Sequence, residues 1–443
     1  MRKSFLKNSL KDECRSFFFI IAAIAVIGLC CGSCRLCREE DPRTADGNPI
    51  IQLEVWTIAL KPKFTGYMEK LFADFEHAHR NIKIVWTDLP QQNIMTKLMA
   101  SVAGDVPPDL VNLTTANAVF LAGHSSLASV SELDRDRRSK EYFPNIWNAA
   151  AYKGEIYAVP WYVSTRVLIF NRNLLKEAGF AAPPADRAGV YALAEKMRET
   201  NKAHWGFFPV IRLLDDFGML NVRLYEPSTK KAAFVTPEAV GLLNWYAELY
   251  SKDLVPKEVL SEGYQGALER YKQGTLALLE AGPQVLLQIK SDAPEVYSHT
   301  DVAPLPWSQE GTVPAAVMNF VIPRSGRHKE EAAELAFFIT NWQNQLAFDR
   351  EVPLLPSTLK TAEDAFFAEG RGEQLLDKAM SISLKQLVKA HDFSLGIARS
   401  RELERCLKEA AETVIYGQSS AETGLQSAAE AWNEIVSGAA ADE

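Results

Sequence analysis

Trp161 and Tyr162 follow Pro160 inside the apolar run 156–170 of "GEIYAVPWYVSTRVLIFNRNLLKEAGF" (154–180). Large aromatics join an apolar face to a polar handle, so they serve a core or a ligand surface equally well. Proline cannot donate to a strand ladder and marks a place where pairing breaks. The run is therefore either a core strand with a bulge or a crossing from one body to another that leaves aromatics at the junction. Residues suited to bond-making chemistry do not fall into familiar patterns. There is no GxxxxGK[ST] phosphate loop and no HExxH, and "GHSSL" at 123–127 lacks the second glycine of GxSxG. His77 and His79, two apart, diverge on a helix. No Tyr-Tyr pair suggests iron capture. Paired glycosidase carboxylates need no local spacing and stay open. No cofactor motif and no metal set emerges from the body of the chain.

The residues around these positions are those of a globular protein. Of 443 residues, 47% are hydrophobic and 23% charged, and the length suits two or three domains. The net charge is −8; without residues 1–33 it becomes −11, from 43 basic and 54 acidic groups. An acidic body with no basic cluster beyond "RDRRSK" (135–140) argues against nucleic acid as a partner.

The N-terminus reads as a signal peptide over 1–33. Arg2, Lys3, Lys7 and Lys11 precede the 13-residue apolar run "FFFIIAAIAVIGL", too short to span a membrane. Five of the six cysteines lie at or before Cys37, and only Cys406 lies in the body, which leaves no disulfide framework there. "CGSC" ending at Cys34 resembles a bacterial lipobox, with Cys31 where that motif usually has Leu. Cys34 is thus the expected lipidation site and Cys31 the poorer fit. The overlapping CxxC pairs 31/34 and 34/37 could instead be metal or redox motifs. Residues 34–49 are polar, with Pro and Gly, and read as a tether.

Regular elements begin at Ile50. Strands are predicted near 51–55, 82–87 and 108–113, with helices between them and after Asn117, a βαβ alternation that implies a largely parallel sheet. Helices are expected at 188–200, 237–250 and 264–273, and weaker strands at 206–211 and 275–279. A further strand is expected at 315–322. Over 329–347, Leu335, Phe338, Ile339, Trp342 and Leu346 share one helical face. The C-terminal third is helical.

Several stretches together resemble a known family. "FADFEHAHRNIKIVW", "GDVPPDLVNL", the 154–180 stretch, "GTLALLEAGP", "VIPRSGRHKEEAAELAFFIT" and "VPLLPS" stand in the order of extracellular solute-binding proteins of the maltose-binding type. The resemblance covers about residues 48–440. It implies an α/β fold of two lobes joined by hinge crossings, with ligand in the cleft between them. The implied N-terminal lobe is 50–158 plus 315–352, and the C-terminal lobe 159–314 plus 353–443. Hinges are expected near 158–162, 312–318 and 350–357. The cleft is expected to draw on Trp56, Asp88, Asn117, Trp161, Tyr162, Trp205, Gly282, Pro283, Trp307 and Asn319. Trp161 is the expected platform for a sugar ring, and Tyr162 faces the opposite way because strand side chains alternate. Gly282 and Pro283 resemble the family's Gly-Pro loop, although Gln284 replaces the aromatic that commonly comes next.

The function this implies is carbohydrate capture for an ABC importer. The chain would be a monomeric lipoprotein on the outer face of the cytoplasmic membrane or in the periplasm, with the membrane permease as partner and no enzymatic activity. A different solute such as glycerol phosphate is the rival within binders, for which Arg166 or Arg212 could supply the cation. A secreted polysaccharide hydrolase is the rival from another class.

Overall fold

The computed structural model describes residues 49–307, 312–370, 372–397 and 399–442. The signal segment, Cys34 and most of the tether lie outside these residues. The chain separates into two units. Of the smaller, only 49–51 and Arg80–Lys83 are described, and they supply the first residues of two strands. The larger unit, Gln52–His79 with Ile84–Glu443, carries the rest of the fold.

The strands are β1 (Ile51–Ile58), β2 (Ile82–Leu89), β3 (Leu110–Thr114), β4 (Val159–Thr165), β5 (Val167–Asn171), β6 (Trp205–Phe207), β7 (Leu276–Ala281), β8 (Thr300–Ala303), β9 (Val313–Val321), β10 (Leu355–Pro356) and β11 (Ala390–His391). The principal helices are α1 (Thr65–Ala78), α2 (Gln91–Ala103), α3 (Thr115–Gly123), α4 (Arg187–Thr200), α5 (Leu213–Met219), α6 (Pro237–Ser251), α7 (Val259–Lys272), α8 (Lys329–Ile339), α9 (Trp342–Glu351), α10 (Gln374–Gln386), α11 (Ser400–Ile415) and α12 (Ala421–Asp442).

Two main sheets result. The larger runs β10-β4-β9-β3-β1-β2, with β11 also pairing β9; the smaller runs β8-β5-β7-β6. The expectation of a largely parallel sheet holds only for the first segments, since β1 and β3 are parallel. The returning strand β9 runs antiparallel to β3 and β4, and β5 antiparallel to β7 and β8. Both sheets are therefore mixed. The cause is that the chain leaves each sheet and re-enters it from the opposite direction, which βαβ repetition alone does not do.

The apolar run 156–170 shows how this happens. β4 belongs to the large sheet and β5 to the small one, and Arg166 is the single residue between them. The chain passes between sheets at Arg166, not before Val159 as the aromatic-proline punctuation suggested. The ladder from Thr165–Ala315 to Val159–Phe320 holds β4 in the large sheet, and β10 pairs on its other edge. The second passage lies between Ala303 of β8 and Val313 of β9. Residues 159–165 and 355–356 thus pair within the first sheet.

Pro160 marks a bulge. Tyr162 pairs with Met318 and Pro160 with Asn319, so Trp161 is the extra residue and has no partner across the ladder. The bulge cancels the side-chain alternation expected here. Trp161 and Tyr162 both pack on Phe348, with ring centroids 4.8 Å and 5.6 Å away. Trp161 also meets Phe320 at 5.0 Å and is fully buried. In this structure it packs as a core residue between Phe320 and Phe348 and offers no open face.

The helical face expected over 329–347 is split between α8 and α9. The first ends at Ile339 with Thr340 as its C-cap, and Asn341 caps the second, its Oδ1 accepting from Asn344 N at 2.9 Å. Apolar cores on both sheets and among the C-terminal helices hold the body. One surrounds the small sheet with α4 and α7, around Ile169, Leu193 and Leu278. Another joins α5, α6, α11 and α12 around Phe217 and Trp432. A further one packs α2 and α3 on the large sheet through Ile94, Leu98 and Leu113.

Candidate functional site

A group of charges collects where the chain passes between sheets. Arg166 is held there by the strands on either side of it. Its guanidinium donates to Asp215 at 2.5 Å and lies 3.6 Å from Glu280. Asp215 and Asp216 occupy the first turn of α5, directly after Arg212. Asp216 accepts from the Arg212 backbone N–H at 3.2 Å and from the Tyr246 hydroxyl at 3.0 Å. Glu280 is the single charge in β7, whose six residues are all buried. Asp392 follows β11 and accepts from Val317 N at 3.2 Å.

Beside this cluster is a cavity of about 560 Å³. Arg212, Asp215, Arg401 and Glu404 supply part of its polar lining, and Leu260 and Leu407 part of its apolar lining. Arg401, on the rim, reaches away from α11 to α3. It donates to Asn117 Oδ1 at 3.2 Å and lies 4.4 Å from the Phe120 ring centroid. α3 follows β3 of the large sheet, so Arg401 joins the cavity lining to an element of that sheet. This mix of fixed donors, acceptors and apolar wall suits a small solute bearing several polar groups.

Burial sets the electrostatics. It pushes the carboxyls of Asp215, Glu280 and Glu404 upward, with arginines pulling back in each case. Asp216 is pushed up to about 7, first by burial and then by Glu280 and Asp215. Arg212 moves the other way, lowered by burial and by the neighbouring Arg166 charge. Asp216 therefore holds its proton more tightly folded than unfolded. Its contribution to stability is intact below about pH 4 and is lost as pH rises toward about 7. Asp216→Asn keeps the acceptor for Tyr246 and Arg212 without that dependence. Its melting temperature relative to wild type should rise steadily between pH 4 and pH 7.5, by at most about 1.4 kcal/mol of stability per pH unit. A difference that stays flat with pH would show that Asp216 is ionised throughout.

The expected site residues divide. Asn117 is at the cavity rim; Thr114 caps its helix instead, accepting from Asn117 N at 3.4 Å. Gly282 and Pro283 follow Glu280 at the end of β7 and are buried. Asn319 is buried in the large sheet, its amide donating to Thr115 Oγ1 and Val317 O at 3.1 Å each. Trp56 is buried, donates to Glu54 at 2.7 Å and carries Lys97 over its ring at 4.6 Å. Asp88 accepts from Thr57 Oγ1, Leu60 N and Lys61 N at 2.6–3.1 Å, and so fastens the turn after β1. Trp205 lines a separate cavity of about 660 Å³ with Arg270 and Glu269. Trp307 packs on Phe207, with Arg187 over its ring at 5.4 Å. Tyr162 is half-buried against Trp161 at 5.0 Å. Of the ten, Asn117 is tied to the cavity through Arg401, and Gly282 and Pro283 directly follow the strand that carries Glu280.

Sequence reasoning missed Asp215, Asp216, Glu280, Asp392, Arg401 and Glu404. Two signals were available: the lone Glu280 in "TLALLEAG" and the charges in "VIRLLDDF". A charge inside an apolar strand is buried only when paired, and so points to a site.

Similarity to known proteins agrees with this geometry. The model of the family described as bacterial extracellular solute-binding protein matches residues 61–345. This chain belongs to that family. A periplasmic-binding protein of Synechococcus sp. MITs9220, named for oligosaccharides and solved with zinc, is 32% identical to this solute-binding protein. The match covers 87% of this chain and 99% of that one, with a TM-score of 0.80. The sugar-binding protein MalE of Xanthomonas citri shares the fold at a TM-score of 0.72 and 21% identity, over 87% of this chain and 98% of its own. The diacetylchitobiose-binding protein DasA of Streptomyces coelicolor is 25% identical over 195 residues, 43% of this chain and 45% of that one. The fold of the solute-binding protein is thus the two-lobe α/β fold of periplasmic binding proteins. Among its described residues no group of three His, Cys, Asp or Glu side chains could hold a metal ion, and no helix is long and apolar enough to cross a membrane.

Proposed function

We propose that this chain captures a carbohydrate and delivers it to the permease of an ABC importer. The observation that carries the reading is the Arg166–Asp215–Glu280 cluster beside the cavity of Arg212 and Arg401. Fixed guanidinium donors and carboxylate acceptors on adjoining walls match the paired donor and acceptor character of sugar hydroxyls. The names of the Synechococcus and Streptomyces relatives, one for oligosaccharides and one for diacetylchitobiose, support the same class. The chain binds without hydrolysing. A thermal-shift screen of mono- and oligosaccharides tests this, because a ligand of the native state alone raises the melting temperature. A panel that leaves the melting temperature unmoved would count against the reading.

Binding closes two lobes that turn where the chain passes between the sheets, at Arg166 and after Ala303. Small-angle scattering should show a smaller radius with ligand at saturation. Equal radii in both states would remove the hinge. The mature chain is held by lipid on Cys34, acting as a monomer on the outer face of the cytoplasmic membrane or in the periplasm. Several acyl chains anchor stably where one is marginal. Cys34→Ser should therefore move the protein to the soluble fraction. Unchanged lipid labelling and membrane retention in that variant would assign the anchor elsewhere, with Cys31 next.

A further inference from the structure

Arg212 is unusual among the charges of this site because its side chain has no partner. Its Nη1 is buried without a hydrogen bond, and among the described residues its guanidinium makes no ion pair. The carboxylates that could serve it are engaged elsewhere. Asp215 is bound by Arg166 at 2.5 Å, Glu280 lies 3.6 Å from the same arginine, and Asp216 is bound by the Tyr246 hydroxyl. The other charges lining the cavity are also mostly matched: Lys408 pairs with Glu412 at 3.6 Å and Arg405 with Glu409 at 3.7 Å. Arg401 turns to the neutral amide oxygen of Asn117. Among the described residues, Arg212 is then the cavity cation whose guanidinium has no hydrogen-bonded partner. A sugar hydroxyl would satisfy the Nη1 hydrogen but give the half-buried guanidinium no ion pair of its own. An anionic group does both.

We propose that the solute is an acidic carbohydrate, and that Arg212 receives its anionic group, a carboxylate or a phosphate, inside the 560 Å³ cavity. The inference rests on the carbohydrate reading and narrows it. Arg212 is then a specificity residue whose cost to the empty protein is offset when ligand arrives.

Two measurements decide it. Matched probes are titrated calorimetrically: D-galacturonate against D-galactose, D-glucuronate against D-glucose, and D-glucose 6-phosphate against D-glucose. At least one acid should bind tenfold or more tighter than its neutral partner, and whether carboxylate or phosphate wins names the source of the charge. Arg212→Met should abolish that preference, and Arg212→Lys should keep part of it. The second measurement needs no ligand. Empty Arg212→Met should melt no lower than empty wild type, since the half-buried side chain gives up no hydrogen bond and no ion pair. Neutral sugars binding as tightly as acids would overturn the inference and leave the carbohydrate reading standing. Silence from every probe would overturn both. An Arg212→Met protein that melts lower than wild type would make Arg212 structural and overturn the inference alone.

Discussion

Arg166→Met is expected to lose about 3–5 kcal/mol of folding stability, because it strips two buried carboxylates of their shared cation. Asp215 and Glu280 side chains are 22% and 8% exposed, and Arg166 is 14% exposed. Methionine fits the volume but leaves those acids uncompensated in a place where burial already disfavours their charge. Urea denaturation of the variant and wild type at pH 7 measures the loss. Adding Glu280→Gln to Arg166→Met should recover part of it, since the two residues interact and their effects do not add. A single variant within about 1 kcal/mol of wild type would mean that solvent reaches the cluster freely. Because Arg166 is also the single residue between β4 and β5, the same variant should bind sugar more weakly at temperatures where it remains folded.

Trp161→Ala is expected to lose a similar amount for a different reason. Trp161 is fully buried between Phe320 and Phe348, and truncating a core tryptophan costs about 3–5 kcal/mol. The solute affinity of the folded variant should stay within about threefold of wild type. Tyr162→Ala, at a half-buried ring on the same Phe348, should lose less stability. A Trp161→Ala protein that melts normally and fails to bind would restore the indole to the cleft.

These two residues show what was legible in the sequence. The alternating strands, the helical faces and the order of motifs placed nearly every element and the two-lobe class, because periodic burial is written locally. The bulge was not legible. Whether Trp161 sits inside or outside depends on its partner strand β9, more than 150 residues away, and on the skipped pairing at Asn319. The hydrogen bonds of the turn residue Asp88 were not legible for a similar reason. Its position at a strand end suggested a cleft, but the backbone N–H groups of Leu60 and Lys61 claim it first. The charged site is assembled from a strand crossing, a short helix, a central strand and a C-terminal helix. No local spacing joins Arg166, Asp215, Glu280 and Arg401, although Glu280 in its apolar strand was a visible signal.

If an unmodified sugar is held at the cluster of Arg166, Arg212 and Asp215, it should be recoverable intact from the protein. Equilibrium dialysis of the mature chain against a mixture of isotope-labelled neutral and acidic oligosaccharides, with mass spectrometry of what remains bound, tests this. We expect retention of one sugar per chain, with its mass unchanged, and loss of that retention in Asp215→Asn. Cleaved products, or retention that Asp215→Asn leaves intact, would contradict a non-hydrolytic binding site at this cluster.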